Sequence, residues 1–77
     1  MAFNPALDQV HGLWTLKSGL QISVHSYNGG ERKIQIGPRV FTKRDGIQSF
    51  GKAGRLSNIE FTEMAEISGE IFKAIEG

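Results

Sequence analysis

Seventy-seven residues make at most one domain, and so short a chain leaves much apolar surface near water, which makes self-association an expected source of stability. The absence of cysteine excludes a disulfide framework and thiolate metal sites. No apolar run approaches the roughly 18 residues of a membrane span, because Lys17, His25 and the 28–33 segment interrupt every candidate. The net charge of +1 hides a segregation: residues 1–30 sum to zero, residues 31–55 carry seven bases against Glu31 and Asp45 for +5, and residues 56–77 sum to −4. Such a division is expected where one surface meets a polyanion.

Residues 1–12 contain Asn4-Pro5 and little periodicity and are expected to form an irregular arm ahead of a domain spanning residues 13–77. The first five residues have neither the basic start nor the apolar run of a secretory signal, in keeping with a cytoplasmic location. Residues 13–17 alternate, as do residues 20–27, where Leu20, Ile22 and Val24 point one way and Gln21, Ser23, His25 and Tyr27 the other. Lys17-Ser18-Gly19 reads as the turn between these strands, and Asn28-Gly29-Gly30 supplies the positive-φ residues that reverse the chain into a third. That strand spans residues 33–42 with Ile34 and Ile36 on the core face; Gly37-Pro38 interrupts it as a bulge or edge position, so Phe41 reads equally as core or as surface aromatic.

Lys43-Arg44-Asp45-Gly46 is the next turn, residues 47–50 a short fourth strand, and Gly51-Lys52-Ala53-Gly54-Arg55 an irregular connection. Ser57 and Glu60 form a capping-box pattern before apolar residues at Phe61, Met64, Ile67, Ile71 and Ile75, which predicts one C-terminal helix with its glutamates on the wet side. Gly69 inside that helix costs about 1 kcal/mol relative to alanine, and close packing of two helices across a dimer would justify it. The predicted class is α+β: a four-stranded antiparallel sheet followed by one helix.

One helix covers one face of the sheet. The other face then carries Lys17, His25, Tyr27, Arg39 and Phe41, with Arg32, Lys33, Lys43, Arg44, Lys52 and Arg55 on the same strands or in flanking loops. Bases satisfy phosphates and exposed rings stack on unpaired nucleobases, so the combination suits single-stranded nucleic acid, and a helix that is acidic on its wet side is unsuited to a DNA groove. Catalysis has little to draw on: two histidines, no cysteine and no Ser, His and acid combination with supporting context, so neither an enzyme nor a metal or cofactor site is expected. Gly51 to Gly54 lacks the strand-to-helix context and Lys-Ser/Thr ending of a phosphate loop. Two other readings of the basic face are a module that docks an acidic partner protein and a small RNA-binding protein.

Several strings resemble the positive cofactor four family of transcriptional coactivators that bind single-stranded DNA, which has bacterial and bacteriophage members. Ile22-Ser23-Val24-His25-Ser26-Tyr27 is similar to the family's second strand, where two core aliphatics precede a basic residue and a base-stacking aromatic. Residues 33–41, ending in Arg39 and Phe41, resemble its third strand, with Gly37-Pro38 as an apparent insertion. Gly51-Lys52-Ala53-Gly54-Arg55-Leu56, then Phe61 and Met64, resemble the approach to its helix. The resemblance covers roughly residues 13–75. It implies a homodimer whose curved four-stranded sheets form basic channels gripping single-stranded DNA with little sequence preference. Without the family's long Ser- and Lys-rich arm, the chain resembles a bacterial or bacteriophage member serving replication or recombination, in the host cytoplasm if phage-encoded, more than a coactivator.

Overall fold

A computed structural model describes residues 4–77; the first three residues of the expected arm lie outside that range. Pro5–Leu7 form a single 3₁₀ turn capped by the Asn4 side chain. Four strands follow, β1 (Asp8–Thr15), β2 (Leu20–Tyr27), β3 (Lys33–Thr42) and β4 (Gln48–Gly51), and then two helices, α1 (Asn58–Glu66) and α2 (Ser68–Glu76). The sheet is an antiparallel meander in the order β1-β2-β3-β4, as the alternation and turn signals predict.

Turn chemistry dictates this order. Asn28 and Gly29 both take positive φ, and the Gly30 amide donates to the Tyr27 carbonyl at 2.9 Å, the pair of left-handed residues that matches the twist of a hairpin. Between β1 and β2, Gly19 at φ 94° lets the backbone pass so close to β3 that a Cβ there would lie 2.1 Å from the Val40 carbonyl oxygen. Between β3 and β4 the Asp45 carboxylate accepts from the Ile47 amide at 3.0 Å.

Strand structure begins at Asp8, so residues 8–12, expected to be irregular, belong to the sheet. A bulge hides them: β1 shifts register between Val10 and Gly12, leaving His11 unpaired in the ladder and breaking the period of two. A second shift, between the partners of Leu20 and Ile22, falls on Gly37-Pro38 in β3, where the peptide is cis.

The C-terminal segment is two helices where one was expected. The chain turns at Ile67 (φ −96°, ψ 8°), and the two weak helix formers Ser68 and Gly69 follow. The turn lets α2 bring Ile71 into the core beside Leu16, Leu20, Ile22 and Val24, with Trp14, Leu56, Met64 and Ile75 packed around them. The glutamates are also not all on the wet side. Glu60 is 4% exposed, and Glu63 accepts from the Lys17 amide through Oε2 at 3.1 Å while its Oε1 is buried without a hydrogen-bond partner.

Candidate functional site

Register assigns each strand residue to a face. Trp14 lies opposite Ile22, and Ile22 opposite Ile36, so the buried set of β2 and its neighbours on β1 and β3 turn toward the helices. The alternate set, Val10, Thr15, Gln21, Ser23, His25, Tyr27, Lys33 and Gln35, turns to the other face. Beyond the bulge Arg39 lies opposite Gly51 and points at α1, so Val40 and its partner Phe50 are on the open face and Phe41, opposite Ser49, is on the helix side. Phe41 is nonetheless 47% exposed, because the helices contact mainly β1 and β2.

The basic residues separate into two groups. Arg39 is committed to structure: Nε donates to the Ala53 carbonyl at 2.7 Å, Nη1 and Nη2 grip the Glu60 carboxylate, and Nη2 also donates to the Arg55 carbonyl at 3.0 Å. Glu60 additionally accepts from the Ser18 hydroxyl and from the Ser57 amide in a completed capping box. These hydrogen bonds, Arg39 first, hold the Glu60 carboxyl well below the usual carboxylate range, and the same carboxylate raises the Arg39 guanidinium. Arg32 likewise donates from Nη1 to the Ala74 carbonyl at 2.7 Å, a cation closing the C-terminal turn of α2. By contrast, Lys17, Lys33, Lys43, Arg44, Lys52 and Arg55 are all exposed.

His25 sits in a chain of polar groups on the open face. Its Nδ1 pairs with Asp8 Oδ2 at 2.8 Å, and its Nε2 shares a hydrogen bond with the Ser23 hydroxyl at 2.6 Å. The connectivity is that of a nucleophilic relay, but Ser23, whose hydroxyl would attack, is a residue only 3% exposed. The arrangement therefore fixes the imidazole plane. Tyr27 lies beside it and its hydroxyl accepts from the Asn4 amide at 2.8 Å. A hollow next to these residues is lined by Asp8, His25, Tyr27, Glu31 and Lys33, so two carboxylates share this end of the face with one lysine.

The other end of the open face differs. Phe50 exposes 65% of its surface there, two residues before Lys52 on the strand that follows the Lys43-Arg44 turn. The sequence places Phe50 in the fourth strand without indicating a role, because four residues are too few to reveal which way a strand faces. Gln35 and Val40 went unassigned for the related reason that the bulge at Gly37 resets the alternation between them.

Among the described residues no group of three His, Asp or Glu side chains is arranged to hold a metal ion, and no helix is long and apolar enough to cross a membrane. Comparison of the chain with protein-family models, curated proteins and solved structures finds no match.

Proposed function

We propose that this chain binds single-stranded DNA without sequence preference and does so as a homodimer, in a replication, recombination or transcription setting. The observation that carries the reading is the division of labour in the sheet. Both helices lie on one side, while the opposite side presents Tyr27, Phe50, Val10 and Val40 among Lys33, Gln35 and His25, with Lys52 at the end of β4 and Lys43 and Arg44 in the turn between β3 and β4. Unpaired bases stack on such rings, and phosphates are neutralised by such bases; a duplex hides the first and offers only the second.

The homodimer is supported by apolar surface that one copy does not bury. Ile34 and Ile36 turn toward the helix side but remain half exposed, and together with Phe61, Met64, Phe72 and Ile75 they line an apolar groove between β3 and the helices. A compact chain of this mass exposes about 4,700 Å², whereas this one exposes 5890 Å². The surplus, about 1,200 Å² of polar and apolar surface spread over a flat chain, leaves room for the roughly 800 Å² that one partner contributes to a standard interface. A second copy brings the same groove to itself across a two-fold axis, and the acidic helices then lie away from the phosphates.

The test is a fluorescence-anisotropy titration of single-stranded DNA, duplex DNA and single-stranded RNA of equal length at two salt concentrations, with molar mass by light scattering in the same buffer. Tight, salt-sensitive and sequence-indifferent binding of single-stranded DNA by a dimer is expected. Absence of binding at low salt rejects the reading, and a clear preference for RNA moves the assignment to RNA.

A further inference from the structure

The bulge in β3 shapes the surface next to Phe50. Gly37 is buried at φ 111°, a conformation that suits glycine, and a Cβ there would come within 3.3 Å of the Ala53 methyl. Past this point β4 pairs only with Arg39–Thr42, so residues 33–37 of β3 have no outer strand among the described residues. The result is an open hollow where β4 stops, bounded by Gln35, Gly37, Pro38, Phe50 and Lys52.

We infer that this hollow is a subsite for one unpaired nucleotide, with the base stacked on the Phe50 ring, the Gln35 carboxamide facing the base edge and Lys52 neutralising the adjoining phosphate. The inference rests on the single-strand-binding reading and gives that face a definite point of engagement. Three features favour this end of the sheet over the hollow at Tyr27. Phe50 is the large aromatic left mostly bare on the open face, and β4 ends at Gly51, so no outer strand runs alongside residues 33–37 to crowd a ring lying against it. No carboxylate lines the hollow, whereas Asp8 and Glu31 line the one at Tyr27 and repel phosphate. The Gln35 side chain makes only a 3.4 Å contact with the Gly37 carbonyl, which leaves its carboxamide donor and acceptor ready for a base.

The experiment compares the full chain with Phe50→Ala, Phe50→Tyr and Lys52→Ala, titrating labelled oligothymidylate by anisotropy over a range of salt. Alongside it, an oligonucleotide carrying 5-iodouracil is photocrosslinked to the unaltered protein and the adduct is located by peptide mass. Phe50→Ala is expected to weaken binding by roughly five-fold to a hundred-fold, with Phe50→Tyr near the original affinity, because the ring supplies the contact. Lys52→Ala is expected to lower the salt slope by about 0.7, and the adduct to fall on Phe50. If the unaltered protein binds but Phe50→Ala binds equally well and the adduct lies elsewhere, the subsite is wrong while the single-strand reading stands. If the unaltered protein binds no oligothymidylate, both fall together. The crosslink uses the unaltered chain, so it decides the question even if a variant folds poorly.

Discussion

Arg39 and Glu60 show how a residue's neighbours outweigh its type. A basic residue near the end of a strand reads as a phosphate contact, and a glutamate in the first turn of a helix reads as a dipole partner facing water. Here each is the other's partner across the gap between β3 and α1. Charge counts cannot separate a free arginine from an engaged one, so Arg32 and Arg39 were legible as basic and illegible as structural. The carboxyl of Glu60 titrates lower in the folded chain than when unfolded, so its contribution to stability is complete above the ordinary carboxylate range and is lost as pH falls. Glu60→Gln is therefore expected to lower the thermal midpoint at pH 7, and the gap from the unaltered protein to narrow once pH drops below about 4; a gap independent of pH denies the ionised pair any part in stability. Tyr27 carries a different prediction, because its hydroxyl is held by the Asn4 amide and the proposed binding mode uses its ring alone. Tyr27→Phe is expected to preserve single-strand affinity, and Tyr27→Ala to reduce it by about 1 to 3 kcal/mol with the salt slope unchanged. Equal affinity in all three proteins removes Tyr27 from the interface.

The strands that pair on both sides were the most legible elements. β2 and β3 begin and end where alternation and turn residues place them, since a central strand must satisfy two neighbours and one core. β1 and the helical segment were less legible for related reasons: an edge strand tolerates the bulge at His11, and a helix tolerates the break at Ile67, with little trace in local periodicity. Gly69 separates two explanations of that break. It lies one residue into α2 without positive φ, and a Cβ there would meet nothing within 4 Å. If it is only a weak point, Gly69→Ala stabilises the chain by about 0.5 to 1 kcal/mol by chemical denaturation and leaves the molar mass alone. If a second copy's helix packs against it, the methyl group clashes across the interface and the dimer dissociates at lower dilution. The bulge at Gly37 was visible as an interruption, but its consequence for the faces of Val40, Phe41 and Phe50 required the register.

At the scale of the whole molecule, the dimensions of 39 × 30 × 18 Å describe a slab two layers thick, one of sheet and one of helix. A slab has two broad faces, and the +5 and −4 segments fall on different parts of it: the bases in strands and turns of the sheet's second half, the acids on the helices. This division was legible from counting alone, whereas the apolar groove was not, because Ile34, Ile36, Phe61 and Phe72 each look like ordinary core residues in their own element. Phe61→Asp combined with Phe72→Asp is expected to halve the molar mass seen by light scattering, since both rings are exposed in one copy and line the groove proposed to join two. An unchanged mass puts the contact between copies elsewhere. The margins of the slab bear on a different property. An open sheet offers bare backbone along its outer strands, which is how fibrils recruit further chains. Here one margin is β4, only four residues long, followed by residues 33–37 of β3 beyond the bulge, and the other is β1, kinked at His11. Neither is a long straight template for another strand, and interrupted edges of this kind disfavour the edge-to-edge pairing that builds fibrils.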